Sequence, residues 1–555
     1  MADMISRYYG NFLGVDFRGE DINLLRSPDS VNLWKDYKEI DSIRTRPGMA
    51  FQETFDAPIY GLFFYKGIQL VHSGKKLYRV KNGSKTVLFA DANEAVSNSF
   101  IYENIWYFKD GKNYLQYDGS TISEVVGYVP TTSIAREPSG GGTIYEDVNM
   151  LSNRRINSFL ADGKSKEYYL DTYDLDVTFK PIVTVDGKKV TDFSVDYKLG
   201  KIVFSKAPAE PGTAGKDNVS VEFQKTVAGY KDHILKCTLL QVFDNRVFFS
   251  GNKDYPNTVW HCSLNDPSYC SDLDYYNEGL DTAAVKGLVA GNNALWVFRE
   301  PSDANTTVFY HTPTIDADYG KIYPSQHSSV TTGCVGKAIN FNDDIIFFSE
   351  RGMEGISGDV TTEQVVAHRS TLVDRKMITE PDYKNMILEE WEGYLLVIIG
   401  SKIYLADSRT SFTNTDHIEY EWFYWDMGKK VTSAKVNNGV LYLGAENCVY
   451  TLNDFSCDVE SYWTTPKDKF KHANMQKTTN KRGCVVEASG NLSVYAKIEN
   501  TDFELIGSYE NVTDYLVCRI KRKKFKDLQL KFYSQSRFSL ESATMECFIG
   551  GYIKR

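Results

Sequence analysis

Short apolar runs of four to six residues, rich in Val, Ile, Phe and Tyr and broken by Gly, Asn and Asp, recur along most of this 555-residue chain. Runs of that length and composition predict strands, and the breaks between them predict tight turns. Helical 3.6-residue periodicity is nearly absent, and residues 378–386 make at most a short helix. One unit recurs: a short apolar run, a tight polar turn, then an apolar or aromatic run ending in a polar residue. It reads LVHSGKKLYRV from Leu70, IWYFKDGKNYLQYDG from Ile105, RVFFSGNKDYPNTVWHCSL from Arg246 and ALWVFREPSDANTTVFYH from Ala294. It returns as DIIFFSERGMEGI from Asp344, YLLVIIGSKIYLAD from Tyr394 and VLYLGAENCVYTLND from Val440. With Leu70, Trp106, Val247, Leu295, Ile345, Leu395 and Leu441 as anchors, the intervals are 36, 141, 48, 50, 50 and 46 residues.

A spacing near fifty predicts a hairpin at the centre of each four-stranded blade of a β-propeller, because one blade cannot bury both faces alone and blades stack radially. The expected count is about seven blades, with six or eight open; a pair of β-sandwiches is the competing architecture. The 141-residue interval holds a Pro/Ser/Gly stretch and then a compact strand series ending near Gly229. Residues 144–229 therefore read as a small β-sandwich inserted in a propeller loop. After a polar, punctuated stretch, period-2 alternation resumes in GCVVEAS, LSVYAKIE, YLVCRIKRKKFKDLQLKFYS and SATMECFIGGYI. The expected organisation is an extended arm over 1–50, an all-β propeller over 51–143 and 230–455, the 144–229 insert, and a separate C-terminal β-sandwich over 456–555.

Composition changes this picture little. Charge adds an asymmetry: residues 456–555 hold 17 Lys+Arg against 12 Asp+Glu, so of a net −10 the first 455 residues carry −15. An acidic body does not suit a protein that grips phosphates, and does suit a surface past which DNA slides. No apolar stretch reaches the roughly 20 residues of a membrane span and no signal-peptide pattern opens the chain, so no stable membrane insertion is expected. The nine scattered Cys include no CxxC, and free buried thiols are expected.

Candidate chemistry is sparse. No GxSxG, HExxH, P-loop or GxGxxG stands in the strand–turn–helix context it needs, so no catalytic, cofactor-binding or metal-binding residue is assigned and no enzyme is expected. Asp272-Leu-Asp274-Tyr-Tyr-Asn277 hints at calcium but lacks the Gly and distal Glu of that loop. The densest charge cluster is Arg519, Lys521, Arg522, Lys523, Lys524 and Lys526. On an alternating strand these would line both faces, so part is expected at an edge or turn. The cluster reads as a solvated strand end or as a contact with a neighbouring subunit's acidic body or with DNA.

The amino terminus carries the most specific pattern. Residues 14–51 read GVDFRGEDINLLRSPDSVNLWKDYKEIDSIRTRPGMAF: a polar stretch, Ser27-Pro28-Asp29, Asn32 three residues on, and a closing Arg44-x-Arg46-Pro47-Gly48. Pro28 and Pro47 forbid helix where they stand, and Pro47-Gly48 is expected to turn into the first blade. The pattern resembles the opening of packaged-DNA stabilisation proteins and podovirus tail nozzles, bacteriophage tail proteins. Segments 140–163 and 244–276 are similar to stretches of other phage tail proteins, and the insert looks like a module of phage fibres and tails. The resemblance implies a non-enzymatic virion component: a ring subunit, hexameric in such tails, bound to the head–tail connector or adaptor and other tail proteins. It would continue the DNA conduit and help retain packaged DNA, which passes without sequence-specific binding; assembly would occur in the host bacterial cytoplasm. The alternative is a receptor- or glycan-binding tail protein, gripping host polysaccharide through Trp260, Tyr269, Tyr275 and Tyr276; a carbohydrate-cleaving propeller is a third reading.

Overall fold

The computed structural model describes residues 3–19, 22–37, 42–303, 306–317, 320–357, 365–414, 417–521 and 524–553. Among them are seven four-stranded antiparallel sheets, spanning 59–89, 98–124, 239–277, 285–327, 338–368, 387–426 and 431–454, the last completed by Gly48–Thr54. The protein is an all-β propeller, and we number these sheets blades 1 to 7 in that order. All seven anchor residues lie in the second strand of a blade. Those second strands are buried almost throughout, as in Ala294–Arg299 and Tyr394–Ile399. An inner strand covered on both faces has no solvent side, so it reads as a continuous apolar run rather than an alternating one.

First and second strands are joined in every blade by two residues with positive φ: Lys66-Gly67, Glu103-Asn104, Asp244-Asn245, Asn292-Asn293, Asn342-Asp343, Glu392-Gly393 and Asn438-Gly439. Two successive left-handed residues make the type I′ turn, whose twist matches that of the strands it connects.

The chain divides into two compact units, 1–90 with 328–555, and 91–327. In the first unit, the opening strands of blades 6, 7 and 1 lie side by side. Its second element is an eleven-stranded sheet to which the N-terminal segment gives four strands: Met4–Tyr9, Asp29–Val31, Leu33–Trp34 and Ile43–Thr45. Its spine is the 24-residue strand Met475–Ile498, which pairs with Phe538–Tyr552 up to Gly490 and with Leu528–Ser534 beyond it. Gly490 sits at φ 94°, where an added Cβ would lie 2.4 Å from the Arg537 carbonyl oxygen.

Three expectations are thereby corrected. Residues 1–50, expected as an extended arm, give four strands to the C-terminal sheet, and that sheet is not formed by 456–555 alone. One buried cluster runs from Tyr9, Phe12, Leu33, Trp34 and Ile43 through Trp391, Trp425 and Leu441 of the blades to Trp463, Val486, Val494 and Leu540. Trp34 is central to it, stacked on Trp391 at 5.1 Å and edge-on to Trp425 at 5.8 Å. Pro47-Gly48 does not lead into the first blade: Gly48–Thr54 pairs with Cys448–Asp454, supplying the fourth strand that blade 7 otherwise lacks.

In the second unit, the opening strands of blades 2, 3 and 4 are neighbours. The inserted module has a six-stranded and a three-stranded sheet around Phe159, Tyr168, Val183, Ile202, Val221 and Phe223. It does not begin at 144. Its strand Thr131–Arg136 runs parallel to Arg154–Phe159, and the Gly-rich stretch is a turn inside the module. Between these strands the chain returns to the blades: Met150 and Leu151 pack with Phe100, Tyr114, Phe249 and Trp260. The module is therefore two excursions, 131–144 and 154–225. Their ends are close, with Glu146 N donating to Thr131 O at 3.1 Å and Lys225 N to Asn153 O at 2.8 Å.

Candidate functional site

The N-terminal motif forms a buried polar lock in the first unit. Arg26 donates a two-pronged pair of hydrogen bonds to Glu421, Nε to Oε2 at 2.8 Å and Nη2 to Oε1 at 2.6 Å, and its guanidinium covers the Phe412 ring at 4.5 Å. Burial pushes the Glu421 carboxyl up, and Arg26 opposes that shift. Ser27 Oγ donates to Thr464 O and accepts from Asp29 N. Asp29 Oδ1 accepts a hydrogen bond from the Tyr462 hydroxyl at 2.9 Å. Pro28 stands between them and commits the chain to its extended path.

Asn32 is the hub. It adopts φ 60°, its Nδ2 donates to Glu460 O, and its Oδ1 accepts from both Arg46 Nε and Asp426 N at 2.9 Å. Arg46 also donates to the carbonyls of Pro47 and Asp426, and burial lowers its pKa to about 10. Arg44 lies on the neighbouring strand, 3.7 Å from Asp36. Gly48 has no room for a side chain, since an added Cβ would lie 2.4 Å from Cys457 Cβ. A recess of about 580 Å³ opens beside Asn32, Arg46, Asp426, Cys457 and Glu460. The motif residues are thus placed among strands of blades 6 and 7 and the eleven-stranded sheet.

Segments 140–163 and 244–276 meet in a second lock, in the other unit. Asn149 donates to the carbonyls of Tyr128 and Ser268 and accepts from Leu151 N and Cys270 N. Met150 N donates to Cys270 O and Asp272 N to Val148 O. Beside it lie Asp147, Asp272 and Asp274. Burial raises the Asp274 carboxyl to about 6; Arg246 opposes, and the charges of Asp147 and Asp272 add to the rise. Among the described residues no group of three or more His, Cys, Asp or Glu could hold a metal ion. Of the four aromatics named for glycan contact, Trp260 is core, stacked on His233, and Tyr276 packs between His261 and His311. The Tyr269 hydroxyl is tied to Asp147 O, and Tyr275 alone of the four is exposed.

The basic cluster does not line both faces. Leu516, Cys518, Ile520 and Phe525 point inward, so Arg519, Lys521, Lys524 and Lys526 all face outward; Arg522 and Lys523 lie outside the described residues. Antiparallel pairing of Cys484 with Cys518 brings Lys481 and Arg482 to the same place, and these two line a recess with Val517 and Arg519. Sequence inspection missed them because they lie some forty positions earlier; the signal was the bulge at Gly483, φ 73°, whose Cβ would meet Cys518 O at 2.1 Å. No described member of this six-cation group takes part in a salt bridge with a described residue.

Buried histidine networks were also missed. His311 bridges Glu278 and the Tyr323 carbonyl at 2.9 Å each, and Ser325 Oγ donates to the other Glu278 oxygen. His368 lies between Glu354 at 3.1 Å and Asp374 at 2.5 Å. Burial would lower the His368 pKa, but hydrogen bonds to Asp374 and Glu354 outweigh it and raise the pKa to about 10. The first ties the end of blade 3 to blade 4, and the second ties two strands of blade 5 to the helix Asp374–Met377 that follows it. The nine cysteines are free, seven of them buried.

No protein-family model matches the chain, and no curated protein matches it. Among solved structures, a streptogramin B lyase is similar at 9% identity and TM-score 0.34, over 73% of this chain and 96% of its own. BamB from Moraxella catarrhalis is similar at 9% identity and TM-score 0.33, over 77% and 95%. The computationally designed Ika8 protein is similar at 11% identity and TM-score 0.32, over 73% and 99%.

Proposed function

We propose that this protein is a structural subunit of a bacteriophage tail, a nozzle- or hub-like ring component that forms part of the DNA conduit and helps retain packaged DNA. The observation that carries the reading is the Ser27-Pro28-Asp29, Asn32, Arg44-x-Arg46-Pro47-Gly48 pattern, which resembles the opening of tail proteins of that kind. The burial of those residues in a lock between blade and sheet supports it, because a wall element must resist force and such a lock stiffens one. The acidic first 455 residues support it too, since they give passing DNA little to adhere to. The chain then acts without catalysis or cofactor, as a homo-oligomer, hexameric by resemblance, seated on the connector or adaptor of the virion.

Electron cryo-imaging of particles carrying a labelled copy tests this. The label should form a ring below the connector, and particles lacking the protein should lose DNA after packaging. Label at the host-contacting tips, with binding of the purified protein to host polysaccharide, would favour the receptor-binding reading instead. Turnover of such polysaccharide would make the protein an enzyme.

A further inference from the structure

The outward face around Arg519 presents six described cations, Lys481, Arg482, Arg519, Lys521, Lys524 and Lys526, all exposed and none in a salt bridge with a described residue. Apolar side chains stand among them: Tyr515 is 64% exposed, Val517 47% and Leu505 56%. Two recesses adjoin, one lined by Lys481, Arg482, Val517 and Arg519 and the other by Arg519, Lys521, Glu504, Leu505 and Ile506 among others. A solvated strand edge is protected from pairing by charged side chains such as lysine alone, without apolar groups among them. Cations without a salt-bridge partner among the described residues, interleaved with a tyrosine and aliphatic groups, match an interface core with a charged rim.

The complement is on the same chain. Glu146, Asp147, Asp272 and Asp274 lie together in the 91–327 unit, half-exposed, the first three accepting hydrogen bonds from Tyr128, Ser271 and Tyr230 in turn. Exposed Ile144 (82%), Tyr145 (63%), Leu273 (68%) and Tyr275 (45%) stand close to them in sequence. Duplex DNA is the other anion of suitable charge, but the remaining 455 residues carry −15 and oppose it. We propose that the cationic face of the eleven-stranded sheet docks on the carboxylate face at 144–147 and 272–275 of a second copy of this chain. The two patches differ, so the contact is head-to-tail and generates a closed ring or an open filament. This names the partner surface of the ring reading and rests on it for its setting, though the contact itself is testable in solution.

Sedimentation of the full-length protein over a concentration series should show self-association that weakens as salt rises. Lys481→Glu, Arg482→Glu, Arg519→Glu and Lys521→Glu combined should weaken it roughly tenfold or more with circular dichroism unchanged. Mixing that variant with Asp147→Lys/Asp272→Lys should restore pairing. Should the second variant not fold, carbodiimide cross-linking of unmodified protein gives an independent readout, joining Lys481, Lys521 or Lys524 of one copy to Asp147, Asp272 or Glu146 of another. Absent self-association, association insensitive to the reversal, or cross-links confined to other surfaces would overturn the proposal. So would loss of duplex-DNA binding in the first variant with self-association intact. Confirmed pairing without a ring in virions would leave the contact standing and remove the tail reading; a ring in virions that tolerates the first variant would do the reverse.

Discussion

Arg26 and Glu421 are 395 positions apart and both nearly excluded from solvent, so neither charge is tolerable without the other. Replacing Arg26 by Ala leaves a buried carboxylate uncompensated and should destabilise the protein by about 3–5 kcal/mol. Arg26→Ala with Glu421→Ala should cost clearly less than the two single changes summed, as read from denaturant midpoints; additive effects would count against the lock. His368 gives a pH-dependent case. Its folded pKa of about 10 exceeds the ordinary 6.5, so its stabilising contribution is complete below pH 6.5, declines above it and is lost as pH rises through about 10. His368→Gln should cost roughly 1–3 kcal/mol at the acid end of that window and progressively less toward pH 10, measured by urea unfolding at each pH. A pH-independent difference would show that the imidazolium is not what holds Glu354 and Asp374.

The seven type I′ turns show how an element can be local and diagnostic at once. Their dipeptides vary, yet each pairs Lys, Glu, Asp or Asn with Asn, Asp or Gly, residues that tolerate positive φ, and they recur at the blade spacing. The hairpin pattern captured the blades without them, but they mark the first strand, which the apolar runs alone left undefined. The N-terminal strands behave oppositely. Removing residues 1–45 takes Tyr9, Phe12, Leu33, Trp34 and Ile43 from the shared core. At about 1.5–3 kcal/mol each, that loss is comparable with the whole stability of a domain, about 5–15 kcal/mol. The truncated protein should be insoluble on expression; a folded, soluble product would favour the extended arm expected over 1–50. The insert permits a sharper cut. Deleting 144–229 removes Met150 and Leu151 from the blade core and should cause misfolding. Bridging Thr131 to Glu146 and Asn153 to Thr226 with short turns should leave a soluble remainder, because those ends are already hydrogen-bonded or adjacent.

For the whole molecule, far-ultraviolet circular dichroism should be dominated by β-structure, since the described helices are Tyr230–Leu235, Asp374–Met377 and the 3-10 turn Tyr383–Asn385. A strongly helical spectrum would contradict the fold. The 91–327 unit is spliced into a first unit whose own two ends pair, Met4 with Phe548 and Gly48 with Asp454. Such long-range pairing closes the largest loops in the chain, so it costs the most entropy and gains most from the buried locks that secure it. The sequence by itself determined the strand runs, the near-fifty repeat and a count of about seven blades, with six or eight left open, because a blade's apolar run and its left-handed turn residues are encoded within a few tens of positions. Tertiary structure decided which strands share a sheet. It moved four N-terminal strands into the C-terminal sheet, split the insert in two, and brought Lys481 and Arg482 to Arg519. Strand partners are chosen by backbone hydrogen bonding and shared burial between segments up to several hundred residues apart, and no local pattern carries that choice.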